Sequence, residues 1–180
     1  SGLLLKNLSS HTSYIFDIKE LFNGSIVSTS YDYTFKVWNP YEEAVICTIS
    51  GGIFRFWSLE IYHNNTIITG LYNGLQLWHH NCSLIKSISG VSGFATSLYY
   101  FYGTNTILRS SDANIHMWNL TSNFILKTFS SHGANIYGMD VLPGGYFVSG
   151  SEDSTIRIWH LNSELQITYI LTGLNTYDII

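Results

Sequence analysis

The chain has 180 residues, of which 46% are apolar and 11% charged, and its formal net charge is −4 with only 8 Lys and Arg. This length is enough for a hydrophobic core, and the composition excludes a chain kept disordered by its charge. The few cations argue against a nucleic-acid surface, because phosphate binding needs clustered Lys and Arg. No apolar run approaches the roughly 20 residues that span a bilayer, and no secretory signal is visible, so we expect no membrane partner.

Four of the five tryptophans recur at steps of 40, 40 and 41 residues: Trp38, Trp78, Trp118 and Trp159. Each ends a β-rich run and follows a polar turn. In chain order, the first repeat contains IFDIKEL, SIVSTS, TFKVW and AVICTIS; the second, FWSLEIY, TIITGL, GLQLW and SLIKSIS; the third, TSLYYFY, TILRSS, NIHMW and FILKTFS; the fourth, IYGMDVL, YFVSGS, TIRIW and LQITYIL. This spacing leaves no room for a helix of about 10–12 residues. The sequence therefore predicts an all-β chain of four-stranded antiparallel meanders, with repeats at about 11–50, 51–89, 90–130 and 131–173.

A four-stranded sheet of this kind cannot bury both of its faces alone, whereas sheets stacked around an axis can. On these repeats, the chain resembles the tryptophan–aspartate (WD) repeat β-propellers over nearly its whole length. The first repeat (SHTSYIFDIKELFNGSIVSTSYDYTFKVW) and the last (SHGANIYGMDVLPGGYFVSGSEDSTIRIW) are close to the family pattern, and the middle two are degenerate. The resemblance implies a single propeller region over 1–180, with four blades of four antiparallel strands.

Both chain ends resemble further strands. Leu3–Leu8 is similar to a fourth strand, so 1–10 is expected to form an extra outer strand, and Ile167–Thr172 is the fourth strand of the last repeat. Residues 173–180 begin to look like a fifth repeat. Since the family usually closes with about seven blades, the chain is either a segment of a longer propeller or half of a ring made by two copies. We expect that the isolated chain is not a stable monomer.

Two sets of residues could be interpreted as catalytic triads: His11, Ser28 and Asp32, and His132, Ser149 and Asp153. In both sets the Ser follows the His by 17 residues and the Asp follows it by 21. Because the arrangement repeats in register with the fold, the sequence predicts a structural network and no enzyme. The resemblance implies a buried hydrogen-bonded chain that runs through Trp, Ser or Thr, His and Asp. Its predicted members are His11, Ser28, Asp32, Trp38, Thr69, Trp78, Asp112, Trp118, His132, Ser149, Asp153 and Trp159.

The resemblance also implies that partners bind at one end of the blades. The predicted binding residues are Tyr14, Phe16, Tyr31, Arg55, Trp57, Tyr72, Arg109, Asn135 and Tyr137, because aromatic and arginine side chains dominate binding hot spots. Trp57 is outside the 40-residue register and is either an exposed anchor or ordinary packing between blades. Phe16, Trp57 and Tyr137 are expected to form a shared aromatic patch. Arg109 replaces the expected hydroxyl residue and reflects either sequence drift or contact with an acidic ligand.

The expected function is a non-catalytic scaffold that docks peptides or protein loops and helps to assemble a complex. The alternative is a substrate-recognition subunit, as in a ubiquitin-ligase-type assembly, in which Arg55 and Arg109 read a phosphorylated or acidic motif. A propeller enzyme is a remote third possibility.

No cofactor or metal is expected, because no motif for either is visible and an exposed turn explains His79, His80 and Cys82. Cys47 and Cys82 lack the spacing of a disulfide framework, which favours free thiols and an intracellular location in the cytoplasm or nucleus.

Overall fold

The computed structural model describes residues 2–130, 132–162 and 169–172, the last range by its backbone alone. The chain divides into two compact halves, an N-terminal half of residues 1–90 and a C-terminal half of residues 91–180. Each half contains two four-stranded antiparallel sheets, which we call blades. The predicted all-β fold with four strands in each repeat is confirmed.

The N-terminal half contains blades 1 and 2, whose strands follow one another in chain order. Blade 1 consists of β1 (Ile15–Glu20), β2 (Ile26–Ser30), β3 (Thr34–Asn39) and β4 (Ala44–Ser50). Blade 2 consists of β5 (Leu59–Tyr62), β6 (Thr66–Leu71), β7 (Gly74–Trp78) and β8 (Leu84–Ser89), with a single 3-10 turn at His63–Asn65.

The C-terminal half contains blades 3 and 4 with the same order. Blade 3 consists of β9 (Leu98–Phe101), β10 (Thr106–Ser111), β11 (Asn114–Asn119) and β12 (Phe124–Ser130). Blade 4 consists of β13 (Ile136–Leu142), β14 (Tyr146–Ser151), β15 (Thr155–His160) and β16 (Tyr169–Thr172).

Short polar side chains make the turns between these strands. Asp32 Oδ1 accepts the backbone N–H of Thr34 (3.0 Å) and closes the turn between β2 and β3. Asn39 and Asn119 directly follow their tryptophans and accept backbone N–H groups two and three residues ahead, at 2.9–3.4 Å. The side chain thereby replaces a missing backbone partner, which is why Asp and Asn recur at these positions.

In each half, the apolar faces of the two blades form a core. Trp78 belongs to the core of the N-terminal half and Trp159 to that of the C-terminal half. The two tryptophans have similar surroundings, because each meets a phenylalanine edge to face. The ring centroids of Phe35 and Trp78 are 5.3 Å apart, and those of Phe129 and Trp159 are 5.7 Å apart. Further buried members are Leu21, Val27, Val37, Phe56, Leu59, Ile61 and Ile67 in the first core, and Leu108, Ile115, Ile136 and Phe147 in the second.

A hydrogen-bonded network lies in the interior of blade 4. Trp159 Nε1 donates to Ser149 Oγ (2.8 Å), Ser149 Oγ lies 2.7 Å from His132 Nε2, and His132 Nδ1 lies 2.8 Å from Asp153 Oδ2. These contacts satisfy a neutral imidazole that accepts the Ser149 hydroxyl proton at Nε2 and donates from Nδ1. Every polar atom of this buried path therefore has a partner.

Blade 1 contains the same network with the same geometry. Trp38 Nε1 donates to Ser28 Oγ (2.8 Å), and His11 lies 2.7 Å from Ser28 Oγ and 2.8 Å from Asp32 Oδ2. The Ser, His and Asp side chains that could suggest a catalytic triad thus hold a buried indole in both blades.

The network perturbs the titration of its members. Although burial raises it, the pKa of Asp153 lies well below 3.8, because Thr155, the Gly133 N–H and His132 all donate to the carboxylate. Burial is also the largest effect on His132 and lowers its pKa below 6.5, against the opposing pull of Asp153. The folded chain therefore favours a charged Asp153 beside a neutral His132.

The degenerate repeats keep only part of the network. In blade 2, Trp78 Nε1 donates to Thr69 Oγ1 (3.0 Å), so the hydroxyl is retained without a histidine. In blade 3, Arg109 stands at the hydroxyl position, and the buried Trp118 Nε1 has no hydrogen-bond partner among the described residues. Asp112 accepts the backbone N–H of Phe94 (2.8 Å). Loss of the hydroxyl thus leaves the indole of blade 3 unsatisfied.

The prediction of an outer strand at residues 1–10 is wrong for residues 2–10, which form no strand. Lys6 instead donates from Nζ to the Tyr41 carbonyl (2.8 Å) and forms an ion pair with Glu43 (3.5 Å). A strand requires a neighbour that pairs with its backbone, and no described strand pairs with this segment. The predicted opening of a fifth repeat, at 173–180, lies outside the described residues.

The prediction of free thiols is also wrong. Cys47 in β4 of blade 1 and Cys82 in the turn after β7 of blade 2 form a disulfide, with their Cα atoms 6.1 Å apart. Their spacing of 35 residues carries no sign of the pairing, because the two cysteines meet only when the two blades pack together.

We expect His132→Ala to lower the free energy of unfolding at pH 7 by about 1–3 kcal/mol, because Ser149 and Asp153 lose their partner inside the blade. The pKa of His132 is lower in the folded state than in the unfolded chain. Its contribution to the free energy of unfolding is therefore complete above about pH 6.5 and decreases as the pH falls. Urea unfolding at pH 7 and pH 5 should therefore show a smaller difference between wild type and variant at pH 5. His79→Ala, at an exposed histidine, is the matched control, and equal stability of the two variants at pH 7 would contradict the prediction.

We expect the double substitution Cys47→Ser, Cys82→Ser to lower the free energy of unfolding by about 3–4 kcal/mol, because the disulfide closes a long loop in the unfolded chain. Dithiothreitol should reduce the melting temperature of the wild type and leave that of the double variant unchanged. A wild-type melting temperature that does not respond to the reductant would show that the crosslink contributes nothing.

Candidate functional site

Four exposed or half-buried aromatic side chains of the N-terminal half contact one another in a row, and we call Tyr14, Phe16, Tyr31 and Trp57 the aromatic patch. Two of them, Tyr31 and Trp57, also lie beside Arg55. Phe16 stacks on Trp57 with ring centroids 4.6 Å apart, and Tyr31 meets Phe16 edge to face at 5.8 Å. Tyr14 meets Tyr31 edge to face at 6.3 Å and is 79% exposed. Five of the predicted binding residues are therefore brought together.

The backbone fixes where the patch lies. Phe16 is the extra residue of a bulge in β1, between Ile15 and Asp17, and a bulge redirects the side chain that it carries. The neighbouring Asp17 accepts the Leu59 N–H through Oδ2 (3.0 Å), which ties β1 of blade 1 to β5 of blade 2. Burial raises the pKa of Asp17 against the pull of this hydrogen bond. Phe16 is thus held within a strand, and Trp57 lies in the loop directly before β5, the strand that this hydrogen bond ties to β1.

Trp57 is half-buried and lies against a ring of the adjacent blade. The sequence left open whether Trp57 is an exposed anchor or packs between blades. It packs between blades and also keeps part of its surface accessible.

Arg55 lies among three aromatic rings. Its guanidinium carbon is 3.7 Å from the centroid of Tyr31, 4.5 Å from that of Tyr33 and 5.9 Å from that of Trp57, within the range of cation–π attraction. Its Nη2 donates to the Tyr33 hydroxyl (2.8 Å). The sequence analysis did not identify Tyr33 as a site residue, although the YDY turn before β3 contains it.

Tyr72 is exposed in the turn between β6 and β7. It stacks on Phe54 with nearly parallel rings, 6.1 Å between centroids. Phe54 lies in the same loop as Arg55 and was not predicted, because the family pattern points to Arg55 and Trp57 only.

In the C-terminal half, Tyr137 and Asn135 keep accessible surface. Tyr137 is 51% exposed and is the extra residue of a bulge in β13, which corresponds to the bulge that carries Phe16. Asn135 Nδ2 donates to Glu152 Oε2 (3.2 Å). Membership of Tyr137 in a patch with Phe16 and Trp57 stays a prediction.

Arg109 does not reach the surface and is fully buried, with 0% exposure. Its Nη2 donates to the Gly93 carbonyl (2.8 Å), and burial lowers its pKa to about 10 despite the charge of Asp112. Gly93 lies so close to Ser111 and Asp112 that an added Cβ would be 2.5 Å from Ser111 Oγ. The interpretation of Arg109 as a surface contact for a ligand is therefore corrected, because the side chain points into the interior of blade 3.

Within the described ranges, no three His, Cys, Asp or Glu side chains lie close enough together to hold a metal ion. No helix in those ranges is long and apolar enough to cross a membrane.

Comparison with known proteins gives the same result as the repeats. The family model for "WD domain, G-beta repeat" matches residues 2–39 and 123–160, which contain the first three strands of the first and last repeats and the residues before them. The nuclear distribution protein PAC1 of Saccharomyces cerevisiae is 39% identical over 140 residues, covering 72% of this chain and 28% of the relative. The ribosome biogenesis protein YTM1 of Vanderwaltozyma polyspora is 27% identical over 121 residues, covering 57% of this chain and 26% of the relative.

The solved WD40 β-propeller domain of Doa1 is similar in fold, with a TM-score of 0.79 at 23% identity. The match covers 92% of this chain and 56% of that one. The chain spans about a third of the length of its curated relatives. The tryptophan repeats, the four-stranded blades and these matches together establish that the chain belongs to the WD-repeat family of β-propeller proteins.

Proposed function

We propose that the chain is a non-catalytic scaffold that docks peptides or protein loops and helps to assemble a complex. The observation that carries the proposal is the aromatic patch around Arg55, because large aromatic side chains on a rigid support bind with little loss of conformational entropy. The relatives are named for nuclear distribution and ribosome biogenesis. A docking role for this chain is compatible with both names.

The hydrogen bonds of the His–Ser–Asp sets support the non-catalytic part of the proposal. In both blades the serine hydroxyl is engaged by an indole N–H on one side and an imidazole on the other. A hydroxyl held in this way inside a blade has no room to attack a substrate. The network is better explained as a contribution to the stability of the blade than as a catalytic triad.

We propose an intracellular location, in the cytoplasm or the nucleus, on the strength of the relatives named for nuclear distribution. The Cys47–Cys82 disulfide favours an oxidising compartment and is the observation that opposes this assignment.

We expect Trp57→Ala to abolish capture of the specific partners, because it removes the large ring on which Phe16 stacks. Quantitative capture from a lysate of the source cells should be compared for wild type, Trp57→Ala and Phe22→Ala. Phe22 is exposed in the turn between β1 and β2, which is the other end of blade 1 from Tyr31, so it is a matched control.

Support requires that the same proteins are lost with Trp57→Ala and retained with Phe22→Ala, and that crosslinks from them map to the patch. Equal capture by all three forms would refute docking at this site.

We also propose that the isolated chain self-associates through blade 1. Leu3, Leu4 and Leu5 are 79–83% exposed. An open cleft of about 530 Å³ is lined in part by Leu5, Ile18 and Ile26. Contiguous apolar surface of this kind favours association with a second copy.

Light scattering coupled to size exclusion should give the mass of two chains, and Ile18→Glu should shift it toward one. Lys19, the next residue, forms an ion pair with Glu60, so circular dichroism must confirm that the variant is folded. A wild-type mass of one chain at all concentrations would rule out self-association.

A further inference from the structure

We propose that Arg55 is a carboxylate-binding residue, and that the docked partner segment presents an Asp or Glu side chain to it. The inference rests on the proposed docking function and specifies the chemistry of the segment that the aromatic patch receives.

The hydrogen bonds of Arg55 leave most of its donors unused. A guanidinium carries five N–H donors in a fixed plane, and the described residues accept one hydrogen bond from Arg55, at the Tyr33 hydroxyl. Its Nε is buried and has no hydrogen-bond partner among those residues. The buried Nε adds to the cost of holding this charge without a partner acid. The rest of the guanidinium is only half-buried, so a carboxylate supplied from outside can reach it and would be bound favourably.

No acidic residue in the described part of the chain forms an ion pair with this cation. None of the ion pairs within the described ranges involves Arg55. Other cations of the N-terminal half are engaged: Lys6 pairs with Glu43 and Lys19 pairs with Glu60. Arg55 therefore contributes a positive charge whose carboxylate is missing from its surroundings.

The guanidinium is held in place before any ligand arrives. Stacking on Tyr31 and the hydrogen bond to Tyr33 fix its plane. Tyr33 has a φ of 66°, in the left-handed region that aromatic residues rarely adopt. This backbone conformation is part of the turn that presents the ring to Arg55, and a preorganised cation loses little side-chain entropy on binding.

One guanidinium matches one carboxylate better than it matches a phosphate. Recognition of phosphorylated segments generally uses a cluster of arginines, and the second arginine expected for that role, Arg109, is buried and bonded to the Gly93 carbonyl. The rings around Arg55 are likewise not a cage for a ligand cation, because Arg55 itself occupies the space between them.

The test uses two model peptides that differ only in charge, acetyl-Phe-Glu-Phe-amide and acetyl-Phe-Gln-Phe-amide, together with phenyl phosphate. Each is titrated into the ¹⁵N-labelled full chain while the Arg55 Nε–H and Trp57 indole signals are followed by NMR. We expect the glutamate peptide to give a saturable shift of both signals and to bind at least fivefold more tightly than the glutamine peptide. Added salt should reduce this preference, because it screens a partly exposed charge pair.

Arg55→Gln should abolish the preference for glutamate, whereas Lys6→Gln, which also removes one positive charge from this half, should retain it. If Arg55→Gln does not fold, as judged by the dispersion of its spectrum, the comparison of the two peptides on the wild type decides. Equal affinity of the two peptides, no shift of Arg55 with the glutamate peptide, or saturable binding of phenyl phosphate alone would each overturn the proposal.

Failure of this inference is distinguishable from failure of the docking function. Partners that still depend on Trp57 while the glutamate preference is absent would leave docking intact and make Arg55 a purely structural support of the patch.

Discussion

The structure depends on burying one indole N–H in the third strand of every blade. Trp78 and Trp159 belong to the cores that the two blades of each half form, and the N–H of any buried tryptophan must find an acceptor or destabilise the fold. Blades 1 and 4 meet this need with Ser28 and Ser149, each backed by a histidine and an aspartate. Blade 2 meets it with Thr69 alone. The same requirement thus explains the histidine, the hydroxyl and the aspartate of the repeat as a single unit.

The buried indole N–H groups of blades 1, 2 and 4 find their hydrogen-bond partners within the same blade. The turns at the ends of the strands therefore remain available to bind a partner. The network takes its aspartate from the turn between the second and third strands, and the same turn carries Tyr31 and Tyr33 in blade 1. Because Asp32 accepts the Thr12 and Thr34 N–H groups as well as His11, the turn is rigid. The aromatic patch therefore lies on a support whose geometry is fixed by the buried tryptophan.

Much of this arrangement follows from the sequence, because the repeat of about 40 residues places each residue in a known strand or turn. That register, together with the family resemblance, is enough to predict that Tyr14, Phe16, Tyr31, Arg55 and Trp57 lie at one end of the blades. It gives no information about contacts that depend on packing between blades, such as the Cys47–Cys82 disulfide. It also gives none about the role of Tyr33, which follows from its contact with Arg55 in the loop before β5 and not from its place in the turn.

Arg109 shows why residue type alone misleads at such sites. It and Arg55 are both arginines in a chain with few cations, and both could have been surface contacts for an acidic ligand. Arg109 lies within β10, at the position where the other blades place a hydroxyl, so its side chain enters the interior and its charge is met by a carbonyl and by Asp112. Arg55 lies in the loop before β5, where no strand neighbour encloses it, and aromatic rings support it from the side. The strand position determines burial, and burial determines whether the same guanidinium stabilises a blade or remains available to a partner.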